Sequence, residues 1–268
     1  MTVSILLTTL GKAEVQRREP NAADLVDPDT YVVDVGMEYV PERHNFDHHQ
    51  DRSLPCAFHL VMKHLGYHEA ALNVFGWYAH MSMMDVRGPY QTAEHLGVDT
   101  NILFAASSPI DGYILGRFSQ IVSMTEADDL YGLMKEFGAD LIRMIGEKTE
   151  RLERLKQEAQ IVPVGQLKAV VCEIEDNPKL SMELFLRYLG DEDIVMSITP
   201  SQRGTGWELL RLGDNMIVDF RAVAANPEIR FVHVNGFIAK TRTLLPLGKV
   251  ADIAAQAILK PERAAHHG

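Results

Sequence analysis

The stretch from Val32 to Gln50, VVDVGMEYVPERHNFDHHQ, restricts the fold more than any other part of the chain. Its opening, Tyr31-Val32-Val33, is a short apolar, β-branched run that predicts a buried parallel strand ended at Gly36. A carboxylate, Asp34, stands at the end of that strand, and Asp47, His48 and His49 arrive side by side 13 residues further on. That separation suffices for a strand end, a turn and an excursion back to the same point. The arrangement suits an α/β layer, whose loops gather at strand carboxy ends. Two readings compete: a polar surface loop, or a metal site in which carboxylates and neutral imidazoles converge on a divalent ion.

Eight of the eleven histidines fall between His44 and His95, so imidazole ligands are available to the second reading, although His59, His64, His68, His80 and His95 read as core or surface residues. Asp85, in HMSMMDVRG, lies at the far end of an apolar helical segment, from which a loop can return it to the same point. The chain has 268 residues, with 26 Lys+Arg against 37 Asp+Glu and a net charge of -11. This argues against a protein that coats nucleic acid, which would be basic. It leaves room for an enzyme that handles nucleotides through bound metal ions, which supply local positive charge. Cys56 and Cys172 are too few and too far apart for a disulfide framework and indicate a reduced, structural role. The apolar stretch in MTVSILLTTLGK is too short for a signal peptide or a span, and no later run reaches transmembrane length. A soluble, cytoplasmic protein without membrane partners is expected, and a homo-oligomer is allowed.

The pattern along the chain predicts a helix over residues 3–18 with no obvious N-cap. SLPCAFHLVMKHLG predicts a helix capped by Ser53, with Pro55 in its first turn and Gly66 as terminator. HEAALNVFGWYAHMSMMDVRG predicts a second, buried helix. Thr125 and Asp128 resemble a capping box ahead of a long amphipathic helix, or two joined at Gly138 or Gly146. Leu130, Leu133, Phe137, Leu141, Met144, Ile145, Leu152 and Leu155 form its apolar stripe. The last third is richer in strands: AVVCEIE, DIVMSITP, WELLRLG, NMIVDF and RFVHVNGFIA, with His233 inside the last as a core residue. SQRGTGW is a turn rather than a phosphate loop, since no helix follows it.

VVDVG, PERHNFDHHQ, an Asp after a helix and, far downstream, FVHVNGFIAKTRT together resemble the melanocyte-proliferating-gene-one family. Those proteins are metal-dependent hydrolases related to the DHH phosphoesterase superfamily. A family motif close to Val-Asp-Val-Gly-x-x-Tyr-x-Pro-x-Arg-His-x-x-Asp-His-His-Gln is matched at Val33, Asp34, Val35, Gly36, Tyr39, Pro41, Arg43, His44, Asp47, His48, His49 and Gln50. The resemblance implies metal ligation by Asp34, His48 and Asp85, with Asp34 bridging. It places His49 against the substrate phosphate or leaving oxygen. Asp47 joins His49 as a catalytic group, and Asp47 or a backbone carbonyl holds the second nitrogen of His48. Lys240, Arg242 and Arg87 are the phosphate-binding candidates. The implied cofactor is a divalent metal, Mn2+ first and Mg2+ second, and the implied substrate a nucleotide or short single-stranded RNA.

The implied fold class is α/β, with a DHH-like metal and phosphoester domain over residues 1–108 built on a mostly parallel sheet. A helical connector over 109–160 and an α+β substrate-side domain over 161–268 follow. The chain departs from the family twice. It has no His-x-Gly-x-x-His-x-Asp-Asp motif ahead of its first helix, which implies a truncated start and an incomplete metal site. Ala239, Lys240 and Thr241 also stand where the family commonly has Gly-Gly-His. The alternative reading is therefore a catalytically impaired chain that keeps the fold and binds a metal or nucleotide. A metal-dependent amidohydrolase has less in its favour, because no carbonyl-binding arrangement can be named.

Overall fold

The computed structural model describes residues 1–105, 108–173, 179–213 and 215–259. The protein is mixed α/β with mixed sheets. It divides into two compact units, Met1–Thr149 and Glu150–Gly268. No helix among the described residues is long and apolar enough to cross a membrane.

In the first unit, α1 (Thr2–Leu10) buries Ile5, Leu6 and Leu7 and stops at Gly11, whose φ is 79°. The helix predicted to residue 18 therefore ends eight residues early. Val15 instead enters β1 (Val15–Gln16). Three short strands follow, β2 (Val32–Val33), β3 (Tyr39–Val40) and β4 (Asn45–Phe46), in the order β2-β4-β3. Of the strands this unit contributes, only the β2–β4 pair is parallel. Helices α2 (Ala57–His64), α3 (His68–Val74), α4 (Tyr78–Leu96), α5 (Thr100–Ala105) and α6 (Pro109–Phe118) come next. Ser53 and Pro55 precede α2 rather than open it, and the N-cap position falls to Cys56. The predicted second helix is two, because the backbone turns extended at Phe75.

β5 (Ser123–Met124) pairs with β1, and α7 (Asp129–Glu158) runs unbroken for 30 residues into the second unit. Asp128 Oδ2 accepts the Thr125 amide at 2.8 Å, and the Ala127 amide reaches Thr125 Oγ1 at 3.4 Å, the reciprocal capping expected there. Leu130, Leu141, Ile145 and Leu155 of the stripe are buried, whereas Leu133, Phe137 and Met144 are exposed. Gly138 lies so close to α1 that an added Cβ would stand 2.0 Å from the Ser4 carbonyl oxygen.

The second unit is one six-stranded sheet in the order β10-β11-β9-β8-β7-β6. Its strands are β6 (Gln160–Val164), β7 (Leu167–Val171), β8 (Ile194–Pro200), β9 (Trp207–Arg211), β10 (Ile229–Val232) and β11 (Ile238–Thr241). All pairings are antiparallel except β7 with β8. Alternation along β7 sends Ala169 and Val171 to one face and Val170 and Cys172 to the other. The first face packs on α9 (Leu247–Ala255), and the second on Leu155 of α7 and on Met182 and Phe185 of α8 (Lys179–Leu189). β8 is buried along nearly its whole length, as a strand covered on both faces should be. RFVHVNGFIA is a hairpin rather than one strand: the Gly236 amide donates to the His233 carbonyl, and β10 and β11 lie on either side. His233 is therefore a half-buried turn residue, not a core residue. NMIVDF forms no strand beyond a single bridge from Val218 to Ile258. The last two residues of AVVCEIE lie outside the described residues.

Candidate metal centre

β2 and β4 run parallel, with Val32 beside Asn45 and Val33 beside Phe46. Parallel strands finish at the same edge, so the residues that follow them, Asp34 and Asp47, emerge as neighbours. The Asp34 amide donates to Phe46 O at 3.1 Å, and the Asp47 amide to Glu38 O at 3.0 Å. Each strand pairing is thus carried one step into the site.

The connecting backbone is unusual. Asp34 has φ 63°, Met37 54° and His44 58°, the non-glycine residues with positive φ among those described, and Gly36 has φ 95°. A left-handed residue costs about 1 kcal/mol or more, and such residues persist where surrounding bonds over-determine them. Here Asp47 supplies the bonds. Its side chain is 1% exposed. Oδ2 accepts the Met37 amide at 2.7 Å, and Oδ1 accepts the amides of His48 at 2.7 Å and His49 at 3.2 Å. Oδ1 also lies 2.6 Å from His49 Nδ1.

Burial alone would raise the Asp47 pKa, but the His49 ring bond and three backbone donors outweigh it and hold the carboxyl below its usual range. An ionised Asp47 can only accept, so Nδ1 of His49 carries the proton and Nε2 is left for an outside partner. The bond to Asp47 raises the His49 pKa, with smaller support from the charges of Asp34 and Asp85 and against the effect of partial burial. Asp47 therefore holds the ring of His49, and holds His48 only by its backbone amide. The sequence reading missed that it also organises the backbone through Met37; the paired Gly36 and Asp47 were the available signal.

His48, buried, is the meeting point of two carboxylates. Its Nε2 lies 3.2 Å from Asp34 Oδ1 and 3.3 Å from Asp85 Oδ2. A ring nitrogen carries at most one proton, which cannot serve both oxygens fully. Partial burial and the nearby Asp85 push the Asp34 pKa up, opposed by His48 and His49. Two carboxylate oxygens that meet at one imidazole nitrogen are a donor set that could hold a metal ion. Ligand atoms of Asp34, Asp47, His48 and His49 also lie within 4.8 Å of one another. Asp47 belongs to that group by proximity alone, because four N–H donors already occupy its oxygens. Asp85 is not part of that group and joins Asp34 only through His48 Nε2, while the His49 ring lies 4.4 Å from that of His48.

Asp85 reaches the site from within α4 rather than from a returning loop. Tyr78, Ser82 and Asp85 share one helix face, and the first two are buried. Ser82 Oγ accepts the Cys56 amide at 3.0 Å, which docks α4 against the start of α2. His59 strengthens this packing: its ring stacks 3.8 Å from that of Tyr78, and its Nε2 lies 2.9 Å from Tyr78 O. Burial pulls the His59 pKa down to about 4, so it is a neutral core residue.

The phosphate-binding candidates are placed differently. Arg87 is exposed on α4, with no side-chain partner among the described residues. In the second unit, Lys240 Nζ pairs with Glu208 Oε2 at 2.8 Å. Arg242 Nε donates to Pro227 O at 2.9 Å. No protein-family model matches the chain, and no curated protein matches it.

Proposed function

We propose that the chain is a divalent-metal-dependent phosphoesterase of DHH type that hydrolyses phosphodiester bonds of nucleotides or short single-stranded RNA. The observation that carries this reading is the convergence of Asp34 and Asp85 on His48 Nε2, with His49 held alongside by Asp47. Asp34, His48 and Asp85 hold the ion, Mn2+ or Mg2+, whose charge when bound polarises a phosphoryl oxygen. His49, with its Nδ1 proton committed to Asp47 and its pKa raised, offers Nε2–H to a phosphate or leaving oxygen. Asp47 keeps the ring oriented and the turn closed. The net charge of -11 disfavours a long duplex substrate.

A chain that holds the ion without hydrolysing is the second reading, favoured by the small set of three converging ligands. Both are tested by loading with Mn2+, desalting and measuring metal per chain by mass spectrometry. Cleavage of a 5′-labelled short RNA and of bis(4-nitrophenyl) phosphate is followed in parallel. Retained Mn2+ that is lost in an Asp34→Asn, His48→Ala double variant, with Mn2+-dependent cleavage, supports the hydrolase. Retained Mn2+ without cleavage of either substrate selects the second reading, and no retained Mn2+ in the unmodified chain defeats both.

A further inference from the structure

We propose that the second unit carries its own site for a nucleoside monophosphate, formed without any residue of the metal centre. A groove of about 730 Å3 lies against β9, β10 and β11 and the turn that precedes β9. That volume is in the range of small-ligand sites. Arg203, Arg230, Lys240 and His233 line it, with Glu208 as its acid. Lys240 is paired with Glu208, which leaves two arginines as uncancelled positive charge. In a chain of net charge -11 this is a local reversal of sign that selects for an anion.

The two arginines are presented differently. Arg230 is tethered: its Nη2 donates to Ser201 Oγ at 3.1 Å and to Arg203 O at 2.8 Å, so the guanidinium lies across the turn. Gly204, with φ 117°, makes this possible, since a Cβ there would come within 2.5 Å of Arg230 Nη1. Arg203 is exposed, and no described residue pairs with its guanidinium. One arginine is thus held in place and the other is free to close on a phosphate.

Phe231 supplies the second half of the ligand class. Adjacent strand residues normally point to opposite faces, yet Arg230 and Phe231 both line this groove. The register shift between Ile229 and Phe231 breaks the alternation and accounts for it. Phe231 remains 45% exposed, a ring at the wall of a cationic groove. Phosphate-binding guanidinium groups beside an open aromatic face match a phosphate joined to a planar base. A groove of about 490 Å3 in the first unit has Tyr90 and Phe104 but carries Glu94 and Asp99 with no cation. It offers rings without the charge.

The inference does not rest on the hydrolase reading, because it requires no metal. Calorimetric titration of the full chain in excess EDTA, with AMP, ribose 5-phosphate and inorganic phosphate as probes, tests it. AMP is expected to bind, and Arg203→Ala should weaken it about tenfold or more. Phe231→Ala should weaken AMP about 5- to 30-fold and leave ribose 5-phosphate within twofold. In EDTA, Asp34→Asn should leave the AMP affinity within twofold. Four results overturn the proposal: no AMP binding in EDTA; AMP binding indifferent to both groove variants; AMP no tighter than inorganic phosphate; or AMP binding abolished by Asp34→Asn, which would put the ligand at the metal centre. Failure of phosphodiester cleavage with AMP binding intact would leave this site standing and remove only the hydrolase.

Discussion

Replacing Asp47 by Asn tests whether this side chain organises the metal centre. The substitution conserves shape but exchanges a doubly accepting carboxylate for one acceptor and one donor. Asp47 serves four N–H groups: Met37 on Oδ2, and the amides of His48 and His49 with the His49 ring on Oδ1. In the better orientation the new NH2 faces the Met37 amide, so a buried donor loses its acceptor at about 1–3 kcal/mol. The three remaining bonds lose charge assistance, for roughly another 1 kcal/mol together. A total of about 2–4 kcal/mol is expected, and with m of about 2 kcal/mol/M the urea midpoint falls by about 1–2 M. Trp77 belongs to the first unit and Trp207 to the second, so fluorescence in a Trp207→Phe background follows the relevant half. The His49 pKa, read by NMR, should drop toward its ordinary value as its main support is removed. A midpoint shift below about 0.3 M with an unmoved His49 titration would refute the clamp.

Acid should weaken the first unit through His59. Its pKa is pulled from 6.5 to about 4 in the fold, so the unfolded chain binds more protons between those values. Its contribution is complete above pH 6.5 and is lost as the pH falls through about 4, at most about 3 kcal/mol. His64, also lowered by burial, adds in the same direction. Unfolding midpoints at pH 7.5 and 4.5 measure this, and an equal acid loss in His59→Gln would contradict the assignment. Two glycines of α7 should respond with opposite sign. Gly138→Ala drives a Cβ to within 2.0 Å of Ser4 O and should cost more than about 2 kcal/mol, whereas Gly146→Ala meets nothing within 4 Å and should gain about 0.5–1 kcal/mol. Thermal denaturation decides, and shifts of the same sign would show that the α1 contact is not what restricts position 138.

The candidate metal centre was legible where its residues are contiguous. Asp34, Asp47, His48 and His49 lie within 16 residues, and the strand signal beside them was strong enough to predict their meeting. Asp85 was identified as a partner, but its route was not, because a helix interior and a loop end look alike when the helix is apolar and its backbone breaks at Gly88-Pro89 before continuing to Leu96. The division of labour between the adjacent histidines depends on which ring Asp47 faces, and residue order does not encode that. In the second unit the Asn235-Gly236 pair was a turn signal inside RFVHVNGFIA, overridden by the β-branched run around it. The groove residues Arg203, Arg230 and Phe231 became a cluster only through a strand irregularity, which periodicity cannot anticipate.

The strand ends that form the metal centre are joined by a short connection, and this has a consequence for the order of assembly. Asp34 and Asp47 close a loop of 13 residues, among the least costly closures available to a chain, and their pairing needs no residue beyond Gln50. Asp85 arrives 37 positions after His48, on a helix that docks through Ser82 on the Cys56 amide. A growing chain would therefore possess the clamp and two of the three ligands before α4 has been synthesised. On the proposed metal reading, such a half-site would offer an ion two ligands rather than three. On that reading, firm uptake would wait for the helical layer that carries Asp85.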